Sequence, residues 1–501
     1  MKMRSPGKFA FLVFLLVALV GCGSPQNSSN GISATLMVEP RSSPTPTSDP
    51  VPAGYVEYRT QSGDTLAAVA NHYGVEESDI IFADGVVEER LLPPGTRLYI
   101  PSVLEVTTPA ALLIPDSDVV FSPSTIGFDT QTFVQEQGGK LSEYTELMTA
   151  GTTAGADILY QLALEHSINP RLLLSLLEYQ SGWVSGDPQT QDQETYPYGF
   201  IKADKAQLYK QLGLVIGQLE IGYYGWRAGT LTELTFLDGS TLRLAPNLNA
   251  GTVAVMTYFA AISTQDTWQA ALYGEDSFSQ VHEELFGDAW ARAAQVEPLF
   301  PAGTVQPEMN LPFPEGQVWN YTCGPHEAWG KNGPAAALDF APPLDRAGCG
   351  TSSRWALAAA TGLVVRTGTG LLVLDLDGDG YEQTGWQLLY MHLSSTDKPK
   401  LGEWVRKDEP VGHPSCTGGS SSGIHIHIAR KLNGEWVLAD GGLPFVLSGY
   451  QAYDKEKFCE GTLELGDSVV EAYPWGNYLT KISRPEATLQ PPAGDLYRDD
   501  Q

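Results

Sequence analysis

The segment Gly423-Ile-His-Ile-His-Ile-Ala429 constrains this chain more than any other. Apolar residues flank both of its histidines, which is a strand composition. Residues i and i+2 of a strand point to one face, so His425 and His427 enter the same cleft. Alone, such a pair suits the polar face of any strand. Here it has company. Leu388-Leu-Tyr-Met-His-Leu393 is a second strand-like run carrying His392, while His326 and Asp339 bracket a Gly- and Pro-rich loop. Histidines converging with a carboxylate are the donor set of a catalytic zinc ion, which takes three protein ligands and leaves a fourth position for water.

With these motifs in place, residues from about 311 to 450 resemble the lysostaphin-type zinc metallopeptidases, endopeptidases that cut peptidoglycan. Most of that family places its first two ligands as His-x-x-x-Asp, and here the residue four before Asp339 is Ala335, which cannot bind a metal. The beta-lytic branch instead separates the two by thirteen residues across a Gly-rich loop. His326 and Asp339 are thirteen apart, in a similar Gly-Pro-His…Trp-Gly…Ala-Leu-Asp-Phe context. The resemblance implies His326, Asp339 and His427 as ligands of Zn2+, with His392 and His425 as unliganded catalytic histidines. It further implies an antiparallel all-β domain that hydrolyses the peptide cross-bridges of bacterial peptidoglycan. The competing expectation is a catalytically inactive wall-binding scaffold or hydrolase activator, of which Ala335 would be the hallmark.

A chain of 501 residues is too long for one ordinary domain. Its formal charge of −29 argues against nucleic acid as a partner, because phosphate binding needs a basic surface. The N-terminus runs from basic Met1–Lys8 into an apolar stretch, Phe9–Val20, too short to cross a membrane comfortably. It ends in Leu19-Val-Gly-Cys22, which resembles a bacterial lipoprotein cleavage box. Residues 1–21 are then a signal peptide and Cys22 a lipidated N-terminus, holding the protein on the outer face of the cell membrane. A plain secretory signal is the alternative. Ser, Pro, Thr and Asn dominate the stretch to residue 52, as in a flexible linker. The remaining cysteines, Cys323, Cys349, Cys416 and Cys459, suit two disulfides in an exported domain. Three pairings are open to them. The expectation is Cys323–Cys349, stapling the loop of His326 and Asp339, together with Cys416–Cys459.

Residues 53–102 read as strand, helix, helix, strand, with Gly63-Asp64-Thr65-Leu66 and Pro94-Gly-Thr-Arg-Leu-Tyr-Ile-Pro101. They resemble a LysM module, a βααβ unit that binds the N-acetylglucosamine of peptidoglycan or chitin. The resemblance implies glycan binding at Gly63, Asp64, Thr65, Ala83 and Asp84, although an Asn common in the family is here Ala83-Asp84-Gly85. Residues 113–301 are mostly helical in pattern, with helices expected at 156–165, 170–180, 206–219 and 250–263. The helix ending Glu178-Tyr-Gln180-Ser-Gly resembles that of lysozyme-like transglycosylases. Gln180 stands where those enzymes carry their acid, and Glu178, two residues earlier, projects about 200° away on a helix. Glu178 is thus a weak glycosidase candidate. Asp375-Leu-Asp-Gly-Asp-Gly380 begins like a calcium loop, but Trp386 occupies the position of the required acid, so a hairpin turn is expected. The fold class expected is multidomain α+β: the LysM module, a mostly α, lysozyme-like accessory domain, and a metallopeptidase domain over 302–480 with a tail at 481–501. The partners expected are peptidoglycan and, through the lipid anchor, the membrane.

Overall fold

The computed structural model describes residues 50–149, 151–343, 348–455 and 457–485. The expected signal peptide, Cys22, nearly all of the linker and the tail from 486 lie outside the described residues. No helix among the described residues is long and apolar enough to cross a membrane.

Strand β1 (Tyr55–Arg59), helix α1 (Leu66–Tyr73), strand β2 (Ile81–Phe82) and strand β3 (Arg97–Pro101) form the first unit, with β3 antiparallel to both other strands. Thr65 caps α1, its Oγ1 accepting from the Ala68 amide at 3.2 Å, and Gly74 ends the helix at φ 70°. The expected second helix is only a 3-10 turn at Glu77–Asp79. Ile80 instead enters the small core with Val69 and Leu98, and Ile81–Phe82 joins the sheet, as β-branched and aromatic residues favour.

The helical unit is built on α2 (Gly155–His166), α3 (Pro170–Ser181), α4 (Leu208–Arg227) and α5 (Ala250–Ile262). Asn169 caps α3 ahead of Pro170, and Gly182 closes it in the left-handed region. Helix α5 is apolar nearly all round, and its residues 250–260 are all buried, making it the centre of this unit. A chain of Ser175 Oγ, His282 and Asp118 runs at 2.8 and 3.0 Å. All three are buried, so this is an internal strut between α3 and its neighbours rather than a reactive site.

The third unit centres on a nine-stranded sheet. Its strands are β4 (Trp319–Glu327), β5 (Ala335–Ala341), β6 (Gly362–Gly368), β7 (Leu371–Asp375), β8 (Trp386–Met391), β9 (Trp404–Val405), β10 (Ile426–Leu432), β11 (Glu435–Trp436) and β12 (Lys481–Ile482). They lie in the order β9-β6-β7-β8-β10-β5-β4-β12, with β11 paired to β10. The hairpin expected between β7 and β8 is present, and Asp375, Asp377 and Asp379 accept from backbone amides within its turn.

The alternation of the strands divides two cores. Ile426, Ile428, Leu338, Phe340, Leu388 and Tyr390 pack into one beneath the sheet. Ala429, Ala337, Leu389 and Met391, on the opposite face, join the core of the helical unit. His427 and Asp339 share this second face by the two-residue period. The helical unit therefore covers part of the face that carries them.

The two disulfides correct the expected pairing. They join Cys323 to Cys459 and Cys349 to Cys416, with Cα atoms 4.3 and 5.6 Å apart. Spatial neighbours decide it: Gly324 on β4 donates to the Cys459 carbonyl, and Thr351 bridges Ser415 beside Cys416.

Candidate metal centre

Asp339 and His427 face each other in register across β5 and β10, and Met391 of β8 is the next partner in the row. His326 lies on β4 among register shifts between residues 321 and 327, bulges of the kind that re-aim side chains beside functional sites. The sheet thereby brings together, at one end of one face, residues more than a hundred positions apart.

The donor atoms form a small triangle. His326 Nε2 lies 3.0 Å from His427 Nδ1 and 3.3 Å from Asp339 Oδ1, and His427 Nδ1 lies 3.2 Å from Asp339 Oδ1. Four ligands at ~2.0–2.1 Å in a tetrahedron stand about 3.3–3.4 Å from one another, so these edges match three corners of a zinc site. The second nitrogen of each imidazole agrees. His326 Nδ1 is 2.9 Å from the Gly324 carbonyl, and His427 Nε2 is 3.1 Å from the Ala328 carbonyl. A carbonyl only accepts, so those nitrogens carry the protons and the lone pairs at His326 Nε2 and His427 Nδ1 turn into the triangle. Asp339 Oδ1 is buried and makes no hydrogen bond of good geometry, as an oxygen reserved for a cation would. Cys323 also lies near, but its sulfur is consumed in the disulfide and supplies no thiolate.

Charge in the site is concentrated on Asp339. Burial pushes its carboxyl upward, but His326 and His425 outweigh that and hold it well below the usual carboxylate range. His427, buried, is held below the ordinary imidazole value.

His425 and His392 stand beside the triangle. His425 Nδ1 is bonded to the Gly423 carbonyl at 2.9 Å, which leaves Nε2 free, 3.3 Å from Asp339 Oδ2. His392 follows the end of β8 at φ 61°, a left-handed backbone that turns its ring back so that it lies 4.4 Å from that of His425. Burial, then His425 and His427, lower its pKa to about 4, so it is neutral at ordinary pH. The loop between β4 and β5 closes over the helical unit, where Gly330 at φ 71° passes so near the His166 ring that a Cβ would stand 2.7 Å from it.

Elsewhere the sequence-predicted residues separate. Glu178 accepts from the amides of Val184 and Ser185 at 2.8 and 3.0 Å and from the Ser185 hydroxyl. Its carboxylate closes the turn after α3, which is a structural role. Asp64 is buried, accepting from Tyr58 Oη and the Gln61 amide at 2.7 Å, and burial raises its pKa to about 6. Its side chain thus braces the loop from inside. Asp84 pairs with Arg97, and the Ala83 amide extends the sheet to the Arg97 carbonyl. Gly63 and Thr65 line a cavity between the units, which Ala83 and Asp84 do not line. His413, to which the sequence assigns no role, is held by the Arg354 carbonyl and the Trp355 ring. Sequence reasoning missed the carbonyls of Gly324, Ala328 and Gly423 that orient the imidazoles, because backbone groups leave no signature in residue type.

Parts of this chain are similar to known proteins. Residues 58–101 match the LysM domain, and residues 112–299 match the LasA N-terminal domain. Protease LasA of Pseudomonas aeruginosa (strain UCBPP-PA14) is 25% identical over 297 residues, covering 55% of this chain and 66% of the relative. Beta-lytic metalloendopeptidase of Achromobacter lyticus is 29% identical over 154 residues, covering 28% of this chain and 37% of the relative. The chain carries a LysM domain and is similar to protease LasA and to a beta-lytic metalloendopeptidase. It spans about two thirds of the length of its LasA relatives. Among solved structures, the M23 metalloprotease pseudoalterin aligns at 23% identity and a TM-score of 0.29, covering 36% of this chain and 100% of that one. The catalytic domain of lysostaphin from Staphylococcus simulans aligns at 23% and 0.18, covering 25% and 89%. Zn2+ is the metal that the donor set of His326, Asp339 and His427 fits.

Proposed function

We propose that this protein is a zinc endopeptidase of the cell envelope that hydrolyses peptide cross-bridges of bacterial peptidoglycan. The observation that carries the reading is the triangle of His326 Nε2, Asp339 Oδ1 and His427 Nδ1, with both imidazole tautomers set by backbone carbonyls. His326, Asp339 and His427 hold the ion. Bound zinc supplies Lewis-acid polarisation of the scissile carbonyl and makes water acidic enough to react near neutral pH. Neutral His392 accepts a proton from the attacking water and returns it to the leaving amine. His425, its Nδ1 proton held by the Gly423 carbonyl, turns the Nε2 lone pair toward the same space, where it accepts from the attacking water and orients it. The low exposure of all five residues keeps bulk water out and strengthens each of these interactions.

The LysM domain holds the glycan, and lipid on Cys22 holds the protein at the outer face of the membrane. Two disulfides support an oxidising compartment, and the acidic surface supports the absence of nucleic-acid partners. The scaffold reading rested on Ala335. That residue stands on β5 opposite Glu327, while His326 supplies the nitrogen that the usual motif would have required at that position.

Digestion of purified peptidoglycan by the full chain, followed by mass spectrometry of the products, tests the reading. New peptide amino termini, abolished in His326→Ala, are expected. Intact cross-links with the wild-type protein would leave a wall-binding scaffold instead. Intact-mass analysis of the native protein tests the anchor, since an unmodified residue 22 would remove it.

A further inference from the structure

We propose that the cavity of about 580 Å3 between the LysM domain and the rest of the protein is a saccharide site built by three domains, rather than by the LysM domain alone. This rests on the glycan-binding reading of the LysM domain given above and adds the wall that faces it.

On one side the cavity is lined by both LysM loops, through Gly63, Thr65 and Leu66 of the first and Phe82, Val87 and Leu91 of the second. On the other side stand Arg227 of α4, Phe300 and the peptidase-domain segment that follows β11, residues 437–443. The approach is closest at Gly442. A Cβ there would stand 3.0 Å from both Thr65 Cγ2 and Leu91 Cδ1, so the backbone of the peptidase domain touches both LysM loops at once. The LysM loops thus do not open onto solvent as a shallow surface groove. They form one wall of a half-open cleft, and the peptidase domain forms much of the other wall.

The docking that creates the site is specific. His72 stacks on Trp226 with ring centroids 3.5 Å apart and bonds the Trp226 carbonyl at 2.9 Å. Gln61 donates to the carbonyls of Asn247 and Leu248 at 3.2 and 3.0 Å, and Ser62 Oγ accepts from the Phe300 amide at 2.8 Å. Arg227 joins all three domains, donating to the Ser62 carbonyl, to Asp116 at 2.8 Å and to Glu435 at 2.9 Å.

The chemistry of the lining selects the ligand. At the floor the Arg227 guanidinium is shared between Glu435 and Asp116. At the rim, Glu88, Glu89 and Asp440 stand against Arg90 alone, so polyanions are repelled. Apolar side chains such as Phe82, Leu66 and Leu91 alternate with these polar groups. A volume in the range of small-ligand sites, an apolar wall and a negative rim suit a neutral ligand with apolar faces and many hydroxyl and amide groups. An oligomer of N-acetylated amino sugars has that character. The site lies at the β11 end of β10. Lys431, which pairs with Trp436, is four residues from His427, or roughly 13 Å along the strand, so the saccharide is held beside the metal centre without entering it.

Calorimetric titration of the full chain with the tetramer of N-acetylglucosamine tests the proposal, together with amide hydrogen exchange with and without the sugar. Wild-type protein is expected to bind, and exchange is expected to slow both in residues 60–95 and in residues 437–443. Gly442→Leu, which fills the cavity from the peptidase side, is expected to weaken binding at least ~10-fold while zinc content stays unchanged. Unchanged affinity in Gly442→Leu, or protection confined to residues 60–95, overturns the shared site and leaves the LysM domain as a binder by itself. Binding gained only in Gly442→Leu also overturns it, because the peptidase wall would then be an obstruction. No binding by either protein removes the glycan reading of the LysM domain, and the proposal with it.

Discussion

His427 on β10 and Asp339 on β5 are register partners across one antiparallel ladder, and their donor atoms stand 3.2 Å apart. A strand pair fixes this distance more firmly than a loop could, since slipping by one residue would turn both side chains to the opposite face. The site is thus as rigid as the sheet that carries it.

Asp339→Asn keeps the shape of the side chain and removes its charge. The variant should fold, because the residue's neighbours are imidazoles rather than buried cations. It should lose zinc affinity by at least ~100-fold, more than the 10–100-fold typical of groups that merely support a ligand. Metal analysis after dialysis against a weak chelator measures this.

His392→Ala should separate binding from chemistry. His392 takes no part in the donor triangle, so zinc content should stay at wild type. The rate of cross-bridge cleavage should fall by about 10²–10⁴, the range of a lost general acid–base group. Parallel zinc and rate measurements check it, and a variant that loses both together would place His392 among the ligands.

Much of the metal centre was legible because its chemistry resides in side chains at regular spacing. The two-residue period of Ile-His-Ile-His placed both imidazoles on one face, and the thirteen-residue gap set His326 apart from Ala335. The helices at Gly155–His166, Pro170–Ser181 and Ala250–Ile262 follow from apolar periodicity, and Asn169 and Asn249 cap the last two. What remained hidden depends on through-space neighbours. Cys323 meets Cys459 because β4 lies beside the strands after residue 450, a fact of topology. Asp64 has the composition of a surface loop residue, yet Tyr58 draws it inside. Ile81 ends the helical pattern early because a sheet edge competes for it.

Arg227 should be among the most sensitive positions away from the metal. It is buried and compensates both Asp116 and Glu435. Arg227→Met leaves two buried carboxylates without a cation, a loss of about 3–5 kcal/mol. Adding Glu435→Gln should recover part of that loss, because one of the two orphaned charges disappears. Urea unfolding of the single and double variants measures both.

Contact between the LysM domain and the helical unit should weaken in acid. Burial, opposed by the bond to the Trp226 carbonyl and aided by Arg243 and Arg227, lowers the His72 pKa to about 3, against ~6.5 when exposed. The docked state therefore binds fewer protons than the undocked one. Stability from this contact is fully present above pH ~6.5 and declines as pH falls towards 3, by up to ~1.4 kcal/mol per pH unit. Proteolysis between the domains, followed against pH, should accelerate over this window, and His72→Phe should flatten the dependence.

The central claim, a zinc ion held by two imidazoles and one carboxylate, is tested most directly by X-ray absorption at the zinc edge of the purified full chain. The account predicts about one zinc per chain in a four-coordinate shell of nitrogen and oxygen at ~2.0–2.1 Å, with two imidazole signatures, lost in His326→Ala. Sulfur in the first coordination sphere, or zinc content that His326→Ala leaves unchanged, would contradict it.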